Sequence, residues 1–249
     1  MAVESGIHIV LAPYHLGDIA GFPITSTLIT SWLVVFILAV FAVVMSRRLQ
    51  LVPGRGQVAV ESVISFVYNY VETTLEDAKL ARRFFPLIMT IFLFIFCANM
   101  VGLLPIVGAV GVHLAGHEGL TPLFYPVNTD LNMTLALAVV AFIAIEFAGI
   151  TVLGALRYGS KFVNMHSVIG FIVGLIELVS EIARLVTFSF RLFGNIFAGK
   201  VLILIALYFL PYLLPVPLLI YEVFVGGIRA ATFALLTLFF IKIAVSEPH

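Results

Sequence analysis

Apolar residues along this chain gather into runs long enough to cross a membrane. Thr27–Ser46 is the first, closed by Arg47 and Arg48; Phe84–Val107 is the second and Asn132–Leu156 the third. Each holds about 20–25 residues, which at 1.5 Å per residue covers roughly 30 Å of hydrocarbon. After the more polar Tyr158–Met165, apolar character resumes and continues to Phe209. Pro211, Pro215 and Pro217 then mark a turn, and Leu218–Val245 forms the last segment. The stretch 52–80 differs from these. It mixes Glu61, Glu72, Glu76 and Asp77 with Val60, Val63, Ile64, Val67 and Val71 at helical spacing. That pattern predicts an amphipathic helix lying along the membrane interface, or equally one packed on a partner subunit.

Composition agrees with lipid as the solvent. The chain has 249 residues, of which 62% are hydrophobic and only 10% charged, and its mean hydropathy is +1.20. Soluble domains run nearer 45–50% apolar with about 25% charged residues. The 13 basic and 13 acidic residues cancel, so no basic excess exists to serve a nucleic-acid surface. Cys97 is alone, which excludes an intrachain disulfide. The first residues carry Glu4 and Asp18 and no basic start, so the first apolar helix is expected to remain as an uncleaved anchor. The absence of an organelle-targeting segment points to a bacterial plasma membrane.

Charge position predicts orientation. Arg47, Arg48, Arg55, Lys79, Arg82, Arg83, Arg157 and Lys161 all fall on one side if the spans alternate, and Leu103–Asp130 on the other side carries no Lys or Arg. By the positive-inside rule those eight are cytoplasmic, which places the amino terminus outside and the carboxyl terminus inside. The expected fold is an all-α integral membrane protein in a single membrane domain. It has about five membrane-inserted helices plus the interfacial one, and the last two form a long tilted hairpin.

The helix over 168–209 contains no proline and would measure roughly 60 Å, twice the hydrocarbon thickness, so it must tilt, kink or run partly along the membrane. On it Glu177, Glu181, Arg184, Arg191 and Asn195 fall within about 80° of arc at 100° per residue, forming one polar stripe. Glu222 and Arg229 share a face of the last helix, with Gly226 and Gly227 between them. Ionised groups at membrane depth cost at least ~2.5–3.5 kcal/mol and normally line water or meet a partner. Internal pairing, such as Glu181 with Arg184 or Lys200 with Glu222, competes with an ion-path role for each pair. It accounts less well for the whole stripe. Arg191 is the sharpest case, because a guanidinium keeps its charge and suits the task of holding a carboxylate ionised.

The run Arg191-Leu192-Phe193-Gly194-Asn195-Ile196-Phe197-Ala198-Gly199 resembles the most characteristic stretch of F-type ATP synthase subunit a. Asn128-Thr129-Asp130-Leu131-Asn132-Met133-Thr134, Gly102-Leu103-Leu104-Pro105 and Phe233-Ala234-Leu235-Leu236-Thr237 resemble further family motifs in the same order. The resemblance implies a hairpin against a rotating ring of small subunits (the c-ring), each with a buried carboxylate. It also implies peripheral-stalk b subunits and the whole ATP synthase complex as partners in the bilayer, with ATP chemistry in other subunits and no cofactor or metal here. Arg191 would hold an arriving carboxylate ionised and separate two aqueous half-channels. One would open outside and end near Asn195, Glu222 and Arg229; the other would open to the cytoplasm near Glu177. Asp130 would help funnel ions inward. Three positions depart from the family pattern: Arg229 stands where glutamine is usual, Lys200 where an acid or histidine is common, and Leu185 where proline is usual. Lys200 and Glu222 would preserve a polar pair of altered composition. For Arg229 three roles stay open: sharing the task of Arg191, pairing with Glu222, or changing ion handling.

Other features carry less. Gly194–Lys200 matches the spacing of a phosphate-binding loop, but Val201 follows the lysine, no strand precedes it and the run lies in an apolar helix. His8, His15, His113, His117 and Glu118 lack tight metal spacing and read as solvated loop residues. Asn164 and His166 read as capping or flanking the long helix. A secondary transporter or channel is the alternative use of the charged stripe, although no internal repeat supports it. An intramembrane enzyme would need a nucleophile–base pair or a metal constellation at depth, and Ser180, Thr187 and Ser189 have no histidine near them in sequence.

Overall fold

The computed structural model describes residues 13–19, 21–50, 53–104, 107, 109–113, 120–160, 168–210 and 213–246. Glu4, His8, Val52, Pro105, His117, Glu118, Lys161, Asn164, His166 and Pro211, which figure in the reading above, lie outside the described residues. The elements are β1 (His15–Ile19), β2 (Phe22–Thr25), α1 (Ser26–Arg47), α2 (Arg55–Leu75), α3 (Ala78–Gly102), β3 (Gly111–His113), β4 (Leu120–Pro122), a 3-10 turn (Val127–Thr129), α4 (Leu131–Leu153), α5 (Ala155–Ser160), α6 (Val168–Phe209) and α7 (Pro215–Val245). β1 pairs with β2 and β3 with β4, both antiparallel. Among the described residues five helices, α1, α3, α4, α6 and α7, are long and apolar enough to cross a membrane. The chain is thus a helical, multi-pass membrane protein.

Local chemistry sets the helix ends. The stretch 52–80 is not one continuous helix. Glu76 takes a left-handed conformation with φ 57° and donates its N–H back to the Glu72 carbonyl. The Asp77 carboxylate then accepts the Lys79 N–H at 2.7 Å, capping a new helix. α3 therefore starts at Ala78 rather than Phe84 and takes in Lys79, Arg82 and Arg83; Pro86 lies inside it. It stops at Gly102, where the chain turns, rather than at Val107. α4 stops at Leu153, because Gly154 at φ +84° forms the left-handed cap that favours glycine. α7 begins at Pro215, so Pro215 and Pro217 occupy its first turn, where a missing N–H costs nothing, instead of the turn before it.

The chain divides into two compact units. The first takes the described residues of Met1–Val40, Phe94–Thr134 and Arg191–Ala230. Its apolar core gathers Val34, Ala98, Val101 and Val127, with Phe94, Leu38 and Met133 packed on them. Buried hydrogen bonds tie the segments together. The Thr30 hydroxyl accepts the Tyr125 N–H at 3.1 Å and donates to the Ser26 carbonyl at 2.9 Å. The Asn128 amide donates to the Asn99 side-chain oxygen at 2.8 Å, and Asn99 donates to the Gly226 carbonyl at 3.0 Å.

The second unit takes the described residues of Phe41–Leu93, Leu135–Phe190 and Ala231–His249. Val71, Ala81, Ile88, Ile145, Leu238 and Ile241 are among its buried side chains. Phe188 packs on Phe233 and Phe240 at 5.2 and 5.4 Å between ring centroids. At an exposed edge Lys242 donates to Glu76 at 2.7 Å, and that bond, with the attraction of the ammonium, holds the Glu76 carboxyl below its ordinary range. Large apolar side chains stay exposed on α1 (Trp32, Phe36) and α6 (Phe171, Ile176, Ile182). Such faces suit contact with lipid tails.

Candidate functional site

Within the first unit, the ends of α3, α6 and α7 and the loop around Tyr125 enclose a cavity of about 610 Å³. Its walls are mostly apolar, with a small set of polar groups: Asn99, Tyr125, Asn128, Thr129, Lys200, Glu222 and Arg229. Glu222 and Arg229 lie two turns apart on α7 and form an ion pair at 2.6 Å, both side chains about nine-tenths buried. The carboxylate needs the space that Gly199 of α6 leaves open. A Cβ there would lie 2.5 and 2.6 Å from the two Glu222 oxygens. Lys200, the next residue, does not pair with Glu222. Its ammonium sits 3.4 Å from the centre of the Tyr125 ring, a cation–π contact. Burial pushes the Tyr125 phenol up to about 12, and Tyr14 adds to the shift. Three polar atoms of this site are buried without a hydrogen-bond partner among the described residues: Lys200 Nζ, Arg229 Nε and Asn128 Oδ1.

The expected site residues are thus only partly gathered. Lys200, Glu222 and Arg229 line one cavity. Arg191 and Asn195, one helical turn apart on α6, are exposed and lie outside its lining. Arg191 has no ion-pair or hydrogen-bond partner among the described residues. Asp130 is 4% exposed. One of its oxygens accepts from Thr27 at 2.8 Å and the other from the Asn132 N–H at 2.9 Å, so its carboxylate ties α1 to the start of α4. Glu177 is half-buried on the part of α6 that belongs to the second unit.

That second unit holds a polar cluster of its own. Arg184 donates to Glu181 at 2.6 Å, and its guanidinium lies 4.1 Å from the Phe240 ring centre. Tyr158 is 3% exposed and has the Glu146 and Glu181 carboxylates in its neighbourhood. Burial pushes this phenol up, and Glu146 and Glu181 push it further. Sequence reasoning passed over Glu146, Asn99, Asn128 and Tyr125 as members of such sites. Glu146 and Asn99 carried a usable signal, since each is a polar residue inside a span, where polar groups are costly. Tyr125 had none. Among the described residues no three His, Cys, Asp or Glu side chains are placed to hold a metal ion.

Comparison with known proteins bears directly on this arrangement. The family model described as ATP synthase A chain matches residues 28–242. An ATP synthase subunit a of Campylobacter jejuni is 30% identical over 219 residues, 87% of this chain and 89% of that one. One from Moorella thermoacetica is 31% identical over 228 residues, covering 92% and 93%. An ATP synthase subunit a 3 of Pelobacter propionicus is 29% identical over 239 residues, covering 96% and 94%. With the arginine-bearing α6, the five apolar helices and a family match over most of its length, this chain belongs to the F-type ATP synthase subunit a family, the membrane-sector subunits of that complex.

Proposed function

We propose that this subunit forms the stationary side of the proton path, with Arg191 facing a ring of rotor subunits and two offset half-channels leading to and from it. The observation that carries the reading is Arg191 itself. It is a permanent cation, exposed on the polar stripe of a long, mostly apolar helix and without a partner among the described residues. An uncompensated guanidinium at membrane depth is costly, so it calls for an anion brought by another molecule. A carboxylate on each rotor subunit meets that need and is kept ionised while it passes.

The cavity lined by Lys200, Glu222 and Arg229 serves as the external half-channel. It reaches the ends of α3 and α6 and the start of α7, near Leu104, Leu207 and Pro215. By the distribution of basic residues those ends face outward, with the amino terminus outside and the carboxyl terminus in the cytoplasm. Asn195 lies between the cavity wall at Ile196 and Arg191 in sequence and carries the path onward. Glu177 lines the route to the cytoplasm. The c-ring and the peripheral-stalk b subunits are the partners, and ATP chemistry resides in other subunits. ATP-driven acidification of inverted membrane vesicles tests the reading, with assembly of the complex checked in every variant. Arg191→Ala abolishes pumping in an assembled complex, whereas Arg229→Ala, which unpairs Glu222, weakens it. Pumping by assembled Arg191→Ala at the wild-type rate would overturn the proposal.

A further inference from the structure

Where α1 ends and α2 begins, the second unit folds around an open cavity of about 960 Å³. Arg47 and Arg48 line it, together with Gln50 and Gln57. Its apolar wall includes Phe41 and Met45 from α1 and Val60 from α2. No carboxylate lines it, and no Asp or Glu stands between Asp18 and Glu61 in the sequence. Neither arginine has an ion-pair or side-chain hydrogen-bond partner among the described residues. The elbow itself is tied. The Gln57 side chain accepts the Gln50 N–H and donates to the Gln50 carbonyl, both at 3.2 Å, and donates to the Glu61 carboxylate at 2.7 Å.

Depth in the bilayer gives this cavity its chemistry. α1 has 22 residues, about 33 Å at 1.5 Å per residue, so its end at Arg47 stands at the edge of the hydrocarbon. Lipid headgroups lie at that level and acyl chains below it, where Phe41 and Val44 are exposed. A guanidinium keeps its charge and meets phosphate oxygens through paired N–H donors. The first turn of α2 adds a weaker attraction. Gly54 supplies no side-chain cap, and a Cβ on Gly54 or Gly56 would meet nothing within 4 Å, so the first N–H groups of the helix are open to an anion.

We propose that this elbow binds an anionic phospholipid of the surrounding bilayer, its phosphate held by Arg47 and Arg48 and an acyl chain lying along Phe41 and Met45. A soluble anion would use the arginines alone. The apolar half of the wall, continuous with the lipid-facing side of α1, selects a ligand that carries an oily tail. Basic pockets at the ends of membrane helices take anionic headgroups for this reason. The bound lipid fastens the turn between a membrane-crossing helix and an amphipathic one. It acts apart from the ion path and does not depend on Arg191.

The test uses the intact complex in phosphatidylcholine vesicles that carry a small fraction of lipid with a photoactivatable acyl chain, either phosphatidylglycerol or phosphatidylcholine. After illumination, mass spectrometry locates labelled peptides. Phosphatidylglycerol should label residues 41–60 in preference to phosphatidylcholine. In assembled complexes Arg47→Gln with Arg48→Gln should need about 30-fold more phosphatidylglycerol for the same labelling, about fivefold for each basic residue lost. Arg47→Lys with Arg48→Lys keeps both charges and should retain most of the preference. Equal labelling of the wild type by the two lipids overturns the proposal, because it shows only the ordinary lipid annulus. Labelling that the double glutamine variant leaves unchanged overturns it too. A photo-crosslinking amino acid at Leu49, an exposed residue of the cavity wall, should capture lipid. Capture of another protein subunit there would assign the cavity to a protein contact and sink the lipid site. Arg191→Ala should label like the wild type, so failure of the lipid site and failure of the rotary reading are told apart.

Discussion

At the scale of single residues, Gly199 shows what sequence spacing conceals. The motif around Arg191 was legible because its residues are contiguous, but the space beside Glu222 depends on which atoms of α7 meet α6. Sequence offered Lys200, Glu222 and Arg229 as polar residues without deciding who pairs with whom. An exchange of partners between Lys200 and Glu222 looked natural on a hairpin. In the structure the guanidinium two turns along α7 reaches Glu222 first, at 2.6 Å, and Lys200 turns to Tyr125 instead. Gly199→Ala would place a methyl group 2.5 Å from a carboxylate oxygen that is itself held by Arg229. Overpacking of this kind typically costs about 1–3 kcal/mol. The expected outcome is an assembled complex with a lower melting temperature and weaker pumping. Shortening the acid as well, in Gly199→Ala with Glu222→Asp, should recover part of the stability. Unchanged melting in Gly199→Ala would mean that the two helices can part without cost.

Helices show a different division between what sequence reveals and what it hides. Hydropathy located the membrane-crossing runs, because burial in lipid is a property of composition over some twenty residues. It did not locate the ends, which depend on one or two residues. Gly154 ends α4 through its left-handed backbone, and Asp77 starts α3 through a side-chain cap. Lys79, Arg82 and Arg83 hid that start, since charge marks where lipid ends rather than where a helix does. The short strand pairs, three to five residues in each strand, were missed because such lengths leave no periodic signal. Along α6 the polar stripe was legible, yet its members meet different fates: Glu181 is buried against Arg184 while Arg191 is exposed. The Glu181–Arg184 pair lies in one element, so breaking it tests what it contributes to α6. Arg184→Leu removes the cation paired with a buried carboxylate and should destabilise the protein by about 3–5 kcal/mol, read from thermal or denaturant unfolding in detergent. Removing both charges together, Glu181→Leu with Arg184→Leu, should cost less than the single change. A double variant as unstable as the sum of its parts would show that the two charges act independently.

For the whole molecule, the distribution of basic residues makes a claim that packing cannot make. Helices pack equally well whichever way they cross a bilayer, so orientation is written only in the loops. Arg47, Arg48, Arg55, Arg82, Arg83 and Arg157 stand at loops that alternate with the arginine- and lysine-free stretch Leu103–Asp130. The positive-inside rule predicts that β3 and β4 lie outside and that Ser246, just past the end of α7, lies in the cytoplasm. Single cysteines in a Cys97→Ser background read this directly with a maleimide that does not cross membranes. In intact, outer-membrane-permeabilised cells Val112→Cys, exposed on β3, should label and Ser246→Cys should not. Inverted vesicles should give the reverse. The experiment bears on mechanism as well as topology, because Leu103, Leu104 and Tyr125 of the Leu103–Asp130 stretch line the cavity that holds Lys200. Labelling of Ser246→Cys from outside would turn every span over. The cavity would then face the cytoplasm, and the half-channel proposed there would open to the cell interior instead of outside.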